Sequence, residues 1–97
     1  MTVNASKLLS SLKAKAEDQM AEWRQYDGHF DNYVLVRIDR DIRTRSGLAF
    51  EENEYAIMYP DRCPSLSGYV TVWSVRNGCD TSVPRSAIQH IMKRAGD

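Results

Sequence analysis

Ninety-seven residues make one compact domain, because a chain this short buries only roughly 60 to 68% of its unfolded surface and cannot fill two independent cores. Lysine plus arginine and aspartate plus glutamate balance at 13 each, which excludes the global basic excess of an obligate nucleic-acid or anionic-membrane binder and leaves room only for local patches. At 42% hydrophobic and 27% charged residues, the composition is that of an ordinary soluble globular protein.

The first nine residues lack the unbroken apolar core of a signal peptide, and no run approaches the ~18 apolar residues that span a bilayer. The expected compartment is therefore the cytoplasm, with no membrane among the partners. Residues 4–25 contain no glycine or proline, and Leu8, Leu9, Leu12, Ala16, Met20 and Trp23 recur at three- and four-residue steps. That spacing predicts a helix with one apolar stripe, capped by Asn4 or Ser6. Lys13 with Glu17 and Asp18 with Glu22 fall on the polar side, and Lys7, Lys13, Lys15 and Arg24 cancel Glu17, Asp18, Glu22 and Asp27. A basic membrane-surface helix is disfavoured. The stripe is expected to dock on the rest of the domain, the alternatives being a homo-oligomer formed through this helix or a partner's groove.

Beyond Tyr26-Asp27-Gly28 the hydrophobic period changes from 3.6 to 2. Residues 33–38 read as a strand with Val34, Val36 and Ile38 on one face. A polar loop is expected over 39–47, then a second strand from near Glu54 to Met58. A loop stiffened by Pro60 and Pro64 leads to a clean alternation over 68–76. Asn77-Gly78 is a strong hairpin signal with both turn positions expected at positive φ, and residues 79–83 should return. Residues 84–87 read as a tight turn and 88–92 as a last short strand or helical turn. The predicted fold class is mainly β: a small five-stranded barrel over residues 30–97, with a short tail, preceded by one amphipathic helix and linker over residues 1–29.

Particular residues make residues 33–91 resemble an SH3-like barrel. Leu48-Ala49-Phe50-Glu51-Glu52-Asn53-Glu54 is similar to the Leu-Ser-Phe-x-x-Gly-Glu segment that closes the family's first (RT) loop, with Asn53 in place of glycine as the next best residue for a left-handed turn. Val83-Pro84-Arg85-Ser86-Ala87-Ile88 resembles Val-Pro-x-x-Tyr-Val before the family's final strand. Trp73-Ser74-Val75-Arg76 resembles the Trp-x-Ala-Arg stretch of its central strand, placing Asn77-Gly78 at the distal hairpin. The resemblance implies the barrel fold without the family's function. Where its groove for proline-rich ligands has aromatic residues, this chain has Ile38, Arg40, Val72 and Ala87, and only Pro84 is retained. Stacking of proline rings needs flat aromatic faces that these side chains do not offer.

Catalytic and metal chemistry has no sequence signature here. Cys63 and Cys79 form no CxxC and have no histidine neighbour, and are expected to be free thiols. His29 and His90 are isolated, Glu51, Glu52 and Glu54 match no calcium-loop spacing, and the scattered glycines build no phosphate or dinucleotide loop. No catalytic residue, metal or cofactor is expected, an oligomeric small-barrel enzyme being the remote alternative. The stretch that stands out is residues 37–45, with Arg37, Arg40, Arg43 and Arg45 against Asp39 and Asp41. Guanidinium forks take carboxylate or phosphate bidentately, although pairing with Asp39, Asp41 and the Glu51–Glu54 acids would absorb them. The candidate partner-binding set is Arg40, Asp41, Arg43 and Arg45, with Tyr59, Arg62, Tyr69 and Trp73 on adjoining surface, Trp73 being partly core. The expected function is a small non-enzymatic protein-interaction module: an adaptor, a regulatory subunit or an inhibitor of a larger complex. The alternative is a nucleic-acid-associated barrel contacting phosphates through Arg40, Arg43, Arg45 and Arg76.

Overall fold

The structure, a computed structural model, describes residues 4–20, 32–62 and 67–93, with Met92 and Lys93 described by backbone alone. Helix α1 spans Ala5–Gln19. Asn4 is its cap: the side-chain oxygen accepts the Lys7 backbone N–H at 3.1 Å, satisfying one of the donors a helix start leaves open. At the other end Met20 N–H still donates to the Ala16 carbonyl at 2.9 Å. Trp23, His29 and the linker lie outside the described residues.

Seven strands follow: β1 Val34–Ile38, β2 Ile42–Thr44, β3 Gly47–Phe50, β4 Glu54–Met58, β5 Tyr69–Ser74, β6 Cys79–Pro84 and β7 Ile88–Lys93, with a 3-10 turn over Arg85–Ala87 before the last. Five of them form one antiparallel sheet in the order β6-β5-β4-β1-β7, while β2 and β3 pair separately as a ribbon. Pro84 ends β6, an edge strand, where its missing N–H breaks no ladder. The chain is thus a small mainly-β domain with one N-terminal helix, compatible with a barrel-like fold.

Strand alternation gives this sheet two apolar faces. On one, Val36, Ile38, Ala56, Met58, Val70, Val72 and Val83 pack with Ala49 and Phe50 from the ribbon and Ala87 from the 3-10 turn. On the other, Leu35, Ile57, Tyr59 and Trp73 are covered by Leu9, Ala16 and Met20 of α1. Each fully buried aliphatic side chain contributes roughly 1.5–3 kcal/mol relative to exposure, so the helix is part of the core. Lys13 adds a cation over the Tyr33 ring at 4.5 Å and an ion pair with Glu17 one turn on.

Two local expectations are corrected. Residues 39–47 are not a plain polar loop, since Ile42 and Phe50 pair across β2 and β3 and draw the segment into the ribbon. Its tip turns at Arg45-Ser46, with Gly47 taking the positive φ of 108°. The second correction concerns the Asn77-Gly78 hairpin. Ser74 faces Cys79, so four residues, not two, connect β5 to β6, and only Gly78 of the two has positive φ (69°). The cause is Ser74, whose hydroxyl accepts the Asn77 N–H at 3.2 Å while its carbonyl accepts the Gly78 N–H at 2.7 Å. Asn53 does adopt the left-handed conformation, at φ 68°.

Candidate functional site

The β2–β3 ribbon leaves the sheet at Asp39, whose N–H donates to the Ala87 carbonyl at 2.9 Å. Arg40 lies flat along this base: Nε donates to Asp39 Oδ1 at 2.7 Å, and Nη2 reaches Asp39 Oδ2 and the Ser86 carbonyl, both at 3.3 Å. The hydrogen bond from Arg40 holds the Asp39 carboxyl below its ordinary value; desolvation opposes it, and the charges of Arg40 and Arg37 add to it. The same bond raises Arg40. Asp41 Oδ1 accepts the Glu52 N–H at 2.7 Å and ties the ribbon's two ends together.

At the tip, Thr44 Oγ1 accepts the Ser46 N–H at 3.1 Å and donates to the Gly47 carbonyl at 3.3 Å. Arg43 and Arg45 flank it, both exposed, and neither has a hydrogen bond or ion pair among the described residues. Other arginines are engaged. Arg37 donates to Gln89 across β1 and β7, Arg62 reaches Asp80 Oδ2 from Nη2 at 2.8 Å and from Nε at 3.2 Å, and Arg76 meets Glu54 at 2.6 Å. Its bond to the Glu54 carboxylate raises Arg76 above its ordinary value.

The structure therefore divides the sequence-predicted set. It brings Arg40, Asp41, Arg43 and Arg45 together on the ribbon. Tyr69, half-buried at the start of β5, lies near the ribbon base, since Arg85 N–H donates to the Gly68 carbonyl at 2.9 Å beside Ser86. Arg62 is apart, paired with Asp80 near the opposite end of β6 from Pro84. Tyr59 and Trp73 are 1% and 3% exposed, so neither presents a face to a partner. Their ring area is what α1 covers, and the Trp73 indole N–H is satisfied by Gln19 Oε1 at 2.7 Å. Leu9, Ala16 and Met20 are correspondingly spent on the chain's own sheet.

Sequence reasoning missed Arg85, exposed on the 3-10 turn next to the Ser86 carbonyl that Arg40 contacts. It is distant from the ribbon in the chain, and the β1–β7 pairing together with the bonds from Asp39 and Arg40 to the 3-10 turn brings the two together. A second missed feature is an open cleft of about 300 Å³ lined by Leu12, Tyr55, Ala56, Trp73 and Val75, with the Glu54–Arg76 pair on its wall. Cys79 is exposed and free, while Cys63 lies outside the described residues. Among the described residues no cluster of three or more His, Cys, Asp or Glu side chains is placed to hold a metal, and no helix is long and apolar enough to cross a membrane. Compared with known proteins, the chain matches no family model, no curated protein and no solved structure.

Proposed function

We propose that the chain is a small non-enzymatic interaction module, an SH3-like barrel with a helix packed on its outer face, that engages a protein partner through the β2–β3 ribbon. An adaptor, a regulatory subunit and an inhibitor of a larger complex all fit this description. The SH3-like reading is supported by the strand order β6-β5-β4-β1-β7, a ribbon inserted between β1 and β4, and a 3-10 turn before β7. Polyproline binding is not part of the proposal, because Ile38, Val72 and Ala87 at the groove positions are fully buried aliphatic side chains.

One observation carries the reading. Arg43 and Arg45 stand exposed and unengaged on a backbone that is itself held by hydrogen bonds. The ordered ribbon spares a partner the cost of ordering the backbone, so that only the rotamer freedom of the two side chains is lost on binding. The nucleic-acid alternative is weaker here, since Arg40 and Arg76 already carry carboxylate partners, and the buried Tyr59 and Trp73 offer no stacking platform.

The test is affinity capture with the tagged chain and with Arg43→Ala/Arg45→Ala, each with and without nuclease. A stoichiometric protein that survives nuclease and is lost from the variant is the expected result. Nucleic acid recovered by the wild type and removed by moderate salt would reverse the choice.

A further inference from the structure

We propose that the ribbon tip recognises an acidic segment of the partner protein, Arg43 and Arg45 each receiving a carboxylate; this rests on the interaction-module reading above. Arg37, Arg40, Arg62 and Arg76 serve the fold, as their partners Gln89, Asp39, Asp80 and Glu54 show. Arg43 and Arg45 have no such role. They are two residues apart, Arg43 within β2 and Arg45 at the start of the turn that follows, so both sit at the ribbon tip. A guanidinium fork forms two parallel charge-assisted hydrogen bonds with one carboxylate, so two acidic residues in the partner saturate the pair.

The surroundings select a lightly charged anion over a dense one. Between residues 39 and 54 the chain carries Asp39, Asp41, Glu51, Glu52 and Glu54 against Arg40, Arg43 and Arg45. Asp39, Asp41 and Glu54 are consumed by Arg40, the Glu52 N–H and Arg76. Glu51 and Glu52 remain exposed near the ribbon base. A nucleic-acid backbone, with a charge every few ångströms, would meet these carboxylates while reaching for the arginines. A short peptide carrying two acids can engage the tip and stop. The ribbon needs no rearrangement for this, because Ile42 and Phe50 anchor its base in the core and Thr44 pins the turn.

The experiment uses the full chain and a fluorescently labelled oligoglutamate peptide, with oligoglutamine and single- and double-stranded oligonucleotides as comparators, read by anisotropy. Saturable binding of oligoglutamate is expected, with no binding of oligoglutamine and weaker binding of either oligonucleotide. Arg43→Ala/Arg45→Ala should weaken oligoglutamate binding roughly tenfold or more, as loss of two charge-assisted contacts implies. Lys15→Ala, a charge removed from the exposed side of α1, should leave it unchanged. Both variants should keep the wild-type melting curve, since Arg43, Arg45 and Lys15 are exposed surface positions.

Failure to bind oligoglutamate, equal loss in Lys15→Ala, no loss in Arg43→Ala/Arg45→Ala, or tighter binding of an oligonucleotide each overturns the proposal. The last of these transfers the site to nucleic acid. Its failure is separable from that of the module reading: a protein captured through Arg43 and Arg45 that oligoglutamate does not displace would leave the module standing and remove only its acidic specificity.

Discussion

The hydroxyl of Ser74 is fully buried, donates to the Ala49 carbonyl at 3.0 Å and accepts the Asn77 N–H at 3.2 Å. One side chain thereby joins β3 to the sheet and sets the geometry of the β5–β6 connection. Ser74→Ala is expected to cost about 1–3 kcal/mol, because it strands a buried carbonyl as well as removing a bond. Urea unfolding measures it, and an unchanged midpoint would show that the ribbon is held by its apolar residues alone. Asp39 gives a pH dependence of known sign. Its folded-state carboxyl sits below the ordinary 3.8 because of Arg40. The associated stabilisation is therefore present above that value and is lost as pH falls through the lower, folded one. Carboxyl NMR titration should place Asp39 below 3.8 in the wild type and move it up in Arg40→Gln; coincident curves would mean that the pair does not persist in solution.

Among the elements, α1 shows how an apolar stripe is divided. Leu9, Ala16 and Met20 are buried against Leu35, Ile57, Tyr59 and Trp73, while Leu8 and Leu12 are only half-buried, Leu12 lining the open cleft. Leu9→Ala is expected to cost about 2–5 kcal/mol through lost transfer energy and the cavity left behind. Leu12→Ala should cost visibly less, because its site is already open to solvent. Equal losses in denaturant titrations would mean that the helix sits rotated from the arrangement described. The ribbon shows the converse case, a segment dominated by charged and polar residues that is ordered by a few apolar anchors at its base and the hydrogen bonds of Asp41 and Thr44.

At the scale of the whole molecule, the sheet needs cover on both faces, one supplied by the ribbon and 3-10 turn and the other by α1. Removing residues 1–20 strips the second face of its cover and exposes a contiguous apolar surface of the kind that drives association. The expected outcome is a lowered unfolding midpoint together with new binding of a hydrophobic dye. A truncated chain that stays monomeric, dye-negative and equally stable would show that the helix is not needed to close the core. The balanced net charge gives no long-range attraction to any partner class, so recognition falls to local groups, and Arg43 and Arg45 are the pair on the ribbon tip that the fold leaves uncommitted.

Period and turn chemistry determined much of this protein from the sequence alone. The three- and four-residue recurrence of Leu8 to Met20 marked the helix, alternation at Val34, Val36 and Ile38 marked β1 and its inward face, and Asn53 announced a left-handed turn. These are local properties, set by a residue and its near neighbours. Sequence also singled out the arginine-rich stretch, but could not say which arginines are free. That depends on Gln89, Ser86, Asp80 and Glu54 arriving from distant parts of the chain. Tertiary structure alone decided that Tyr59 and Trp73 lie beneath the helix, that Ser74 converts the Asn77-Gly78 turn into a four-residue loop, and that Arg85 joins the ribbon's end of the molecule. The physical reason is common to all three: burial and pairing are set by contacts between residues distant in the chain, and a local pattern carries no record of which distant partner will arrive.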